Sequence, residues 1–407
     1  MAVPPISSGE RAESRVRRRA SAAVLKGIVP ARRVPPLRSP VEQVAVSTAQ
    51  SATPRVRVIL ANPRGFCAGV RMAIDVVDQV LDVIDERPIY VFHEIVHNKH
   101  VVARLAGRGA VFVDELDQVP EGKIVVFSAH GVSPQVREHA RRRNLTAIDA
   151  TCPLVTKVHS EAVRYARQGY QILLVGHRNH QEIVGTSGEA PDATQVVESP
   201  GDIAKLQIVD EAKLVYLTQT TLSTDDAGVI IDALKRAFPK IKSPPSEDIC
   251  YATTNRQHAV RAIAPQCDAV VVVGSKNSSN SVRLTEIAQN VGTPAILVDD
   301  VTELPDPLPW KGKGGSISVM LTAGASAPED LVAAICRRFV DRFGATLEQW
   351  DIVDEDVEFN LPATLKRMMT QRGIDPESRR IRVIKTPISA DTYGSTALTV
   401  SAGKARA

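Results

Sequence analysis

Strands alternating with helices place this chain in the α/β class, with mainly parallel sheets. Three observations predict it. Short apolar runs rich in Val, Ile and Leu, such as Ala269–Val273, alternate with stretches whose apolar residues recur at every third or fourth position. Three cysteines, Cys67, Cys152 and Cys250, each stand at the head of such a helical stretch. The order of elements after each cysteine is the same, so one unit is used three times.

The first unit follows the strand Val56–Leu60. After Cys67 comes a helix with Val70, Ile74, Val77, Leu81 and Ile84 on one face, then the strand Ile89–Phe92 and a polar loop with His97. A strand Ala110–Val113 follows, and a strand Ile124–Phe127 opens into Ser128-Ala129-His130-Gly131. The second unit runs from Cys152 through a helix with Val155, Val158, Ala162 and Tyr165 to the strand Ile172–Val175. Its polar loop holds His177, His180 and Glu182, and the strands Gln195–Val197 and Leu214–Leu217 follow, the last opening into Thr218-Gln219-Thr220-Thr221. The third unit starts at Cys250 and repeats the order through Ala269–Val273, the polar loop Ser275–Asn280, Ala295–Val298 and Ser318–Leu321, which opens into Thr322–Ser326. The offsets agree: Cys67 to His97 is 30 residues, Cys152 to His180 is 28 and Cys250 to Asn280 is 30. Ligands of α/β sheets collect at the carboxyl ends of strands. Three such units around a pseudo-threefold axis would therefore aim three cysteines and six polar loops at one cavity.

The expected domains are a disordered Arg/Ala/Pro-rich tail at 1–54, α/β units at 55–151, 152–249 and 250–365, and an extension at 366–407. The tail carries the positive charge. Residues 1–50 hold nine Lys or Arg against three acids, a net +6, so with +4 overall the other 357 residues sum to about −2. A nucleic-acid-binding body is not expected from that balance. No apolar run approaches the roughly 20 residues that span a bilayer, and the N-terminus has no secretory pattern. A cytoplasmic protein is expected, with organelle import through the Arg- and Ser-rich extension as the alternative. Five scattered cysteines speak against a disulfide framework and for a reducing compartment.

A cysteine at a helix start lies beside free N–H donors and positive partial charge, which favours the metal-binding thiolate. Three converging thiolates suit an iron–sulfur cluster with one iron left open to substrate. The same thiolates could hold zinc with water as fourth ligand, and three small core thiols on a shared building plan is the plainest alternative. Cys267 and Cys336 occupy no matching position and read as buried structural thiols. The loops offer His97, His130, His180, Thr220, Ser278, Ser279, Asn280 and Ser326, donors suited to an anion such as diphosphate. Glu182, two residues after His180, can give and recover a proton if burial tunes it. No nucleotide-binding glycine motif is present.

The segments Ala61-Asn-Pro-Arg-Gly-Phe-Cys-Ala-Gly-Val70, Phe127-Ser-Ala-His-Gly-Val132, Asp149-Ala-Thr-Cys-Pro-Leu-Val155, Asp248-Ile-Cys-Tyr-Ala-Thr-Thr-Asn-Arg-Gln257 and Val273-Gly-Ser-Lys-Asn-Ser-Ser-Asn-Ser281 closely resemble the 4-hydroxy-3-methylbut-2-enyl diphosphate reductase family. The likeness covers about Val56 to Leu365. It implies a trefoil of three α/β domains around one [4Fe–4S] cluster, held by Cys67, Cys152 and Cys250, which can be isolated as [3Fe–4S]. It implies that His97, His130, Ser278, Ser279, Asn280 and Ser326 grip a diphosphate, that His180 and Thr220 line the substrate, and that Glu182 donates the proton. The implied reaction removes an allylic hydroxyl as water, giving isopentenyl and dimethylallyl diphosphates, with electrons from ferredoxin or flavodoxin. One departure stands out: where the family reads Gly-His-x-x-His-Pro-Glu-Val, this chain has Gln181 for Pro and Ile183 for Val. A more mobile loop is expected there.

Overall fold

The structure is a computed structural model and describes residues 56–312, 315–379, 381–382 and 398–402. The tail expected at 1–54 lies outside the described residues, as does much of the extension after 366.

In chain order the first unit contains β1 (Val56–Asn62), α1 (Ala68–Val83), β2 (Ile89–Phe92), α2 (Lys99–Gly107), β3 (Ala110–Val113), β4 (Ile124–Phe127), α3 (Pro134–Arg142) and β5 (Thr146–Asp149). The second contains α4 (Pro153–Arg167), β6 (Gln171–Val175), α5 (Gln181–Glu189), β7 (Thr194–Val197), β8 (Leu214–Thr218) and α6 (Thr224–Ala237). The third contains α7 (Tyr251–Ile263), β9 (Ala269–Val273), α8 (Ser279–Asn290), β10 (Ala295–Val298), β11 (Ile317–Ala323), α9 (Glu329–Phe343) and β12 (Thr346–Asp351). The chain continues through β13 (Glu358–Phe359), α10 (Ala363–Gln371), β14 (Ile381–Arg382) and β15 (Leu398–Ala402). No helix among the described residues is long and apolar enough to cross a membrane.

The repetition is visible in the sheets. Their orders are β3-β2-β4-β5, β7-β6-β8 and β10-β9-β11-β1-β12-β15, and every pairing within them is parallel. Each contains the same three-strand core, with the first strand after the cysteine helix in the middle. Parallel sheets are covered on both faces, which is why their strands read as unbroken apolar runs. In β9, Val270 and Val272 pack with Ala259, Val260 and Leu284 of α7 and α8, while Val271 and Val273 pack with Val332, Ile335 and Phe339 of α9. The second unit repeats this, with Ile172 and Leu174 facing α4 and α5 and Leu173 and Val175 facing α6. All these strand residues are fully buried, each stabilising the fold by about 1.5–3 kcal/mol.

Two features depart from the expected boundaries. β1 heads the first unit in sequence, yet it lies in the third sheet between β11 and β12. Pairing partners separated by hundreds of residues leave no local pattern to read. The boundary expected at 365 falls inside α10, whose Leu365 and Met369 are fully buried against the α1 core. Cys336 is fully buried in α9 as expected, whereas Cys267 ends a short turn before β9 and is only half-buried.

Candidate active site

Cys67, Cys152 and Cys250 occupy the N-cap positions of α1, α4 and α7. The backbone holds all three in the same way. Cys152 N–H donates to Ala129 O (3.0 Å), Cys250 N–H to Thr220 O (3.0 Å) and Cys67 N–H to Ala325 O (3.3 Å). Each acceptor lies in the loop that leaves the last core strand of a unit, namely β4, β8 and β11. The chain thus ties every cysteine to a polar loop of the unit before it in this cycle, and the sulfurs and loops share one cavity. That cavity has about 680 Å³ of empty space, and all twelve site residues singled out in the sequence line it.

The sulfurs differ in their local bonding. Cys67 Sγ accepts from Val70 N–H at 3.4 Å. Cys250 Sγ accepts from Thr253 N–H at 3.4 Å and lies 3.2 Å from Thr253 Oγ1. Cys152 Sγ makes no such side-chain cap bond. Gly69 is needed opposite it: a Cβ there would come within 2.5 Å of Cys152 Sγ. The thiolate-favouring effect expected of helix starts is present but outweighed. Removal from water pushes all three thiols up, Cys250 to about 11, and the neighbouring Cys67 sulfur adds to the rise at Cys152 and Cys250. Bare, they are thiols. Cationic metal would reverse that balance, since a coordinating thiol loses its proton.

The histidines form a second group. The rings of His97 and His130 stack with centroids 4.1 Å apart, and His180 meets them edge-on at 5.5 and 5.8 Å. Burial first, and neighbouring His97 second, hold His130 well below its ordinary value and His180 at about 4. Both are neutral donors at physiological pH. His180 caps α5, its Nδ1 accepting from Glu182 N–H at 3.2 Å, which leaves the proton on Nε2. His97 Nδ1 lies 3.0 Å from Glu94 Oε2, and Asn277 Nδ2 donates to the same oxygen.

Glu182 is 2% exposed. Its Oε1 accepts from Thr220 N–H at 2.6 Å and its Oε2 from Thr220 Oγ1 at 3.0 Å. These bonds lower its pKa, but burial outweighs them and, with the Asp248 charge, lifts it to about 7. Such a carboxyl can give a proton and take it back near neutral pH.

Glu182, Ser279 and Asn280, expected in loops, stand in the first turns of α5 and α8. Ser278 is the N-cap of α8, accepting from Ser281 N–H at 3.4 Å. Ser326 Oγ donates to His97 O at 3.0 Å and lies 3.1 Å from Ser278 Oγ. Asn280 Oδ1 accepts from Ala325 N–H at 2.9 Å. Hydroxyls, an amide and free helix N–H groups beside neutral imidazoles make a cradle for an anion. Gln181 is the first residue of α5. Proline is well tolerated there, so the helix start survives its loss, and the expected mobile loop is a helical turn.

Thr253 and Asp248 were not found in the sequence. Thr253 contacts both Cys250 Sγ and Asn280 Nδ2, and its place one turn beyond Cys250 was the available signal. Asp248 stands two residues before Cys250, which was its available signal; its bonds to Thr218 N–H and Lys157 Nζ appear only on folding.

The donor set fits a cluster. Three sulfurs reach one cavity, with a glycine cradle at Cys152. Among the described residues no group of three His, Cys, Asp or Glu is arranged to hold a single metal ion.

Fold and site define an α/β protein that works at the strand ends of three repeated parallel sheets. The LytB protein family matches residues 58–340. Two 4-hydroxy-3-methylbut-2-enyl diphosphate reductases are similar to the chain. That of Acidothermus cellulolyticus is 50% identical over 321 residues, 79% of this chain and 93% of the relative. That of Rhodopirellula baltica is 50% identical over 318 residues, 78% and 98% of the two. The solved structure of the E-1-hydroxy-2-methyl-but-2-enyl-4-diphosphate reductase from Plasmodium falciparum superposes with a TM-score of 0.75 at 41% identity, covering 79% of this chain and all of that one. The chain belongs to the LytB family, that of the 4-hydroxy-3-methylbut-2-enyl diphosphate reductases.

Proposed function

We propose that the chain reduces 4-hydroxy-3-methylbut-2-enyl diphosphate, using one [4Fe–4S] cluster held by Cys67, Cys152 and Cys250 at the centre of a trefoil. Substrate, two electrons and two protons give water and isopentenyl or dimethylallyl diphosphate. When bound, the cluster supplies the electrons and an iron without a protein ligand; ferredoxin or flavodoxin would refill it. The observation that carries the reading is the thrice-repeated bond from a cysteine N–H to a strand-end loop, which gathers three sulfurs from three units at one cavity. A lone zinc has less support, because among the described residues no three donors are arranged to hold one ion.

Ser278, Ser279, Asn280 and Ser326, with His97 and His130, would hold the diphosphate. The hydroxyls and the amide donate without carrying charge, and burial keeps His130 neutral beside them. His180 and Thr220 would orient the allylic end, Thr220 while holding Glu182. Glu182, with a pKa near 7, would deliver the proton and be reprotonated between turnovers. Anaerobically purified protein should contain iron and sulfide and consume the diphosphate with a strong reductant. Iron-free protein, or brown protein that leaves the substrate untouched, would overturn the reading.

A further inference from the structure

Arg256 is the largest fully buried side chain of the described residues, and the cavity chemistry does not use it. All five of its N–H donors are engaged. Nε and Nη2 donate to Gly65 O at 3.1 and 2.8 Å, and Nη1 donates to Ala252 O at 3.0 Å. The remaining two reach Glu355, at 3.0 Å to Oε1 and 3.5 Å to Oε2. Asn255 Nδ2 steadies Oε1 at 3.1 Å. The pair is dry, with side-chain exposures of 1% and 4%. Burying such a pair has a desolvation cost that apolar side chains of the same size avoid, so packing alone does not account for it.

Its position does. Gly65 lies two residues before Cys67, in a left-handed conformation (φ +65°) that favours glycine. Ala252 lies two residues after Cys250, and Tyr251 between them accepts from Ala68 N–H at 3.3 Å. One guanidinium therefore clamps the Cys67 arm to the Cys250 arm.

We infer that Arg256 is a positioning residue for Cys67: through Gly65 it sets the reach of that sulfur toward Cys250, and its fixed charge, offset by Glu355, biases how readily the metal group there accepts an electron. This rests on the cluster reading above. The inference gives the two partners opposite signs. Removing the cation disfavours the more negative reduced state, and removing the anion favours it.

The test compares the full-length protein with Arg256→Gln, Arg256→Lys and Glu355→Gln, each reconstituted anaerobically with iron and sulfide. Iron per chain is measured first, then the midpoint potential by a reductive titration followed by electron paramagnetic resonance. Arg256→Gln should shift the potential down and Glu355→Gln should shift it up. Arg256→Lys should keep the potential near wild type but hold iron less firmly, because three donors cannot span both arms. Shifts in one direction, or none, overturn the inference, as does a Lys variant indistinguishable from Gln. If Arg256→Gln does not fold, Glu355→Gln decides alone: an upward shift supports the inference, and anything else overturns it. A wild-type protein that takes up no iron sinks the cluster reading itself, a result separable from the others.

Discussion

The starts of α5 and α8 are the same position in two units, and they carry opposite chemistry. Aligned cap to cap, His180, Gln181 and Glu182 in one correspond to Ser278, Ser279 and Asn280 in the other, which moves Asn280 from its offset match with His180 to Glu182. Both third residues are buried, Glu182 at 2% and Asn280 at 3% exposure. A helix N-terminus by itself favours an anion. Asn280 cannot become one and leaves the N–H groups of α8 to an outside anion. Glu182 is one, but burial lifts its pKa to about 7, which suits it to the proton-carrying role proposed above. On the proposed function, a single repeated scaffold would separate holding charge from moving protons by one change, amide against carboxyl.

Glu182→Gln makes α5 resemble α8 and gives the largest expected effect. The amide keeps an acceptor for Thr220 N–H but has no proton to deliver, so kcat should fall by about 10²–10⁴ with KM little changed. A variant retaining full turnover would break the comparison. The opposite swap, Asn280→Asp, brings a carboxylate to the anion cradle. Folding should hold, but KM should rise at least about tenfold through like-charge repulsion. Steady-state kinetics on the purified variant would check both.

The pH dependence sharpens the same contrast. Glu182 has a folded pKa raised from 4.5 to about 7, so the stability gained by keeping it neutral is complete below about 4.5 and is lost as pH rises through about 7. Turnover limited by this donor should fall on the alkaline side of pH 7, approaching about tenfold per unit. Glu182→Gln should lose the alkaline decline in stability, read by urea titration at pH 6 and pH 8. The smallest effect is expected at Cys336. Cys336→Ala removes one buried sulfur and should cost about 1–2 kcal/mol of stability, leaving iron content unchanged.

Much of this was legible in the sequence because it is periodic. The valines of β9 and the apolar face of α4 announce their elements, and the offsets from Cys67, Cys152 and Cys250 announce the repeat. What escaped depends on tertiary context. β12, Thr346–Asp351, mixes Thr, Glu, Gln and Trp and reads as loop until β1 pairs with it. α5 and α8 begin at residues whose polarity suits loops and caps equally. The direction of the cysteine pKa shifts was misjudged, because a helix start is visible in sequence and the dryness around it is not. Arg256 reads as a surface residue of a polar helix, and only the fold reveals Gly65 and Glu355 at its end.

The central claim is that Cys67, Cys152 and Cys250 act together through a shared iron–sulfur group. The most direct measurement is iron and sulfide per chain, with Mössbauer spectroscopy, on anaerobically prepared protein and on the Cys→Ser variants at these positions and at Cys267. The account predicts iron and sulfide in equal numbers in the wild type and in Cys267→Ser, and their loss or disruption in each of Cys67→Ser, Cys152→Ser and Cys250→Ser. Wild-type protein without iron, or full clusters surviving in any of those three variants, would contradict it.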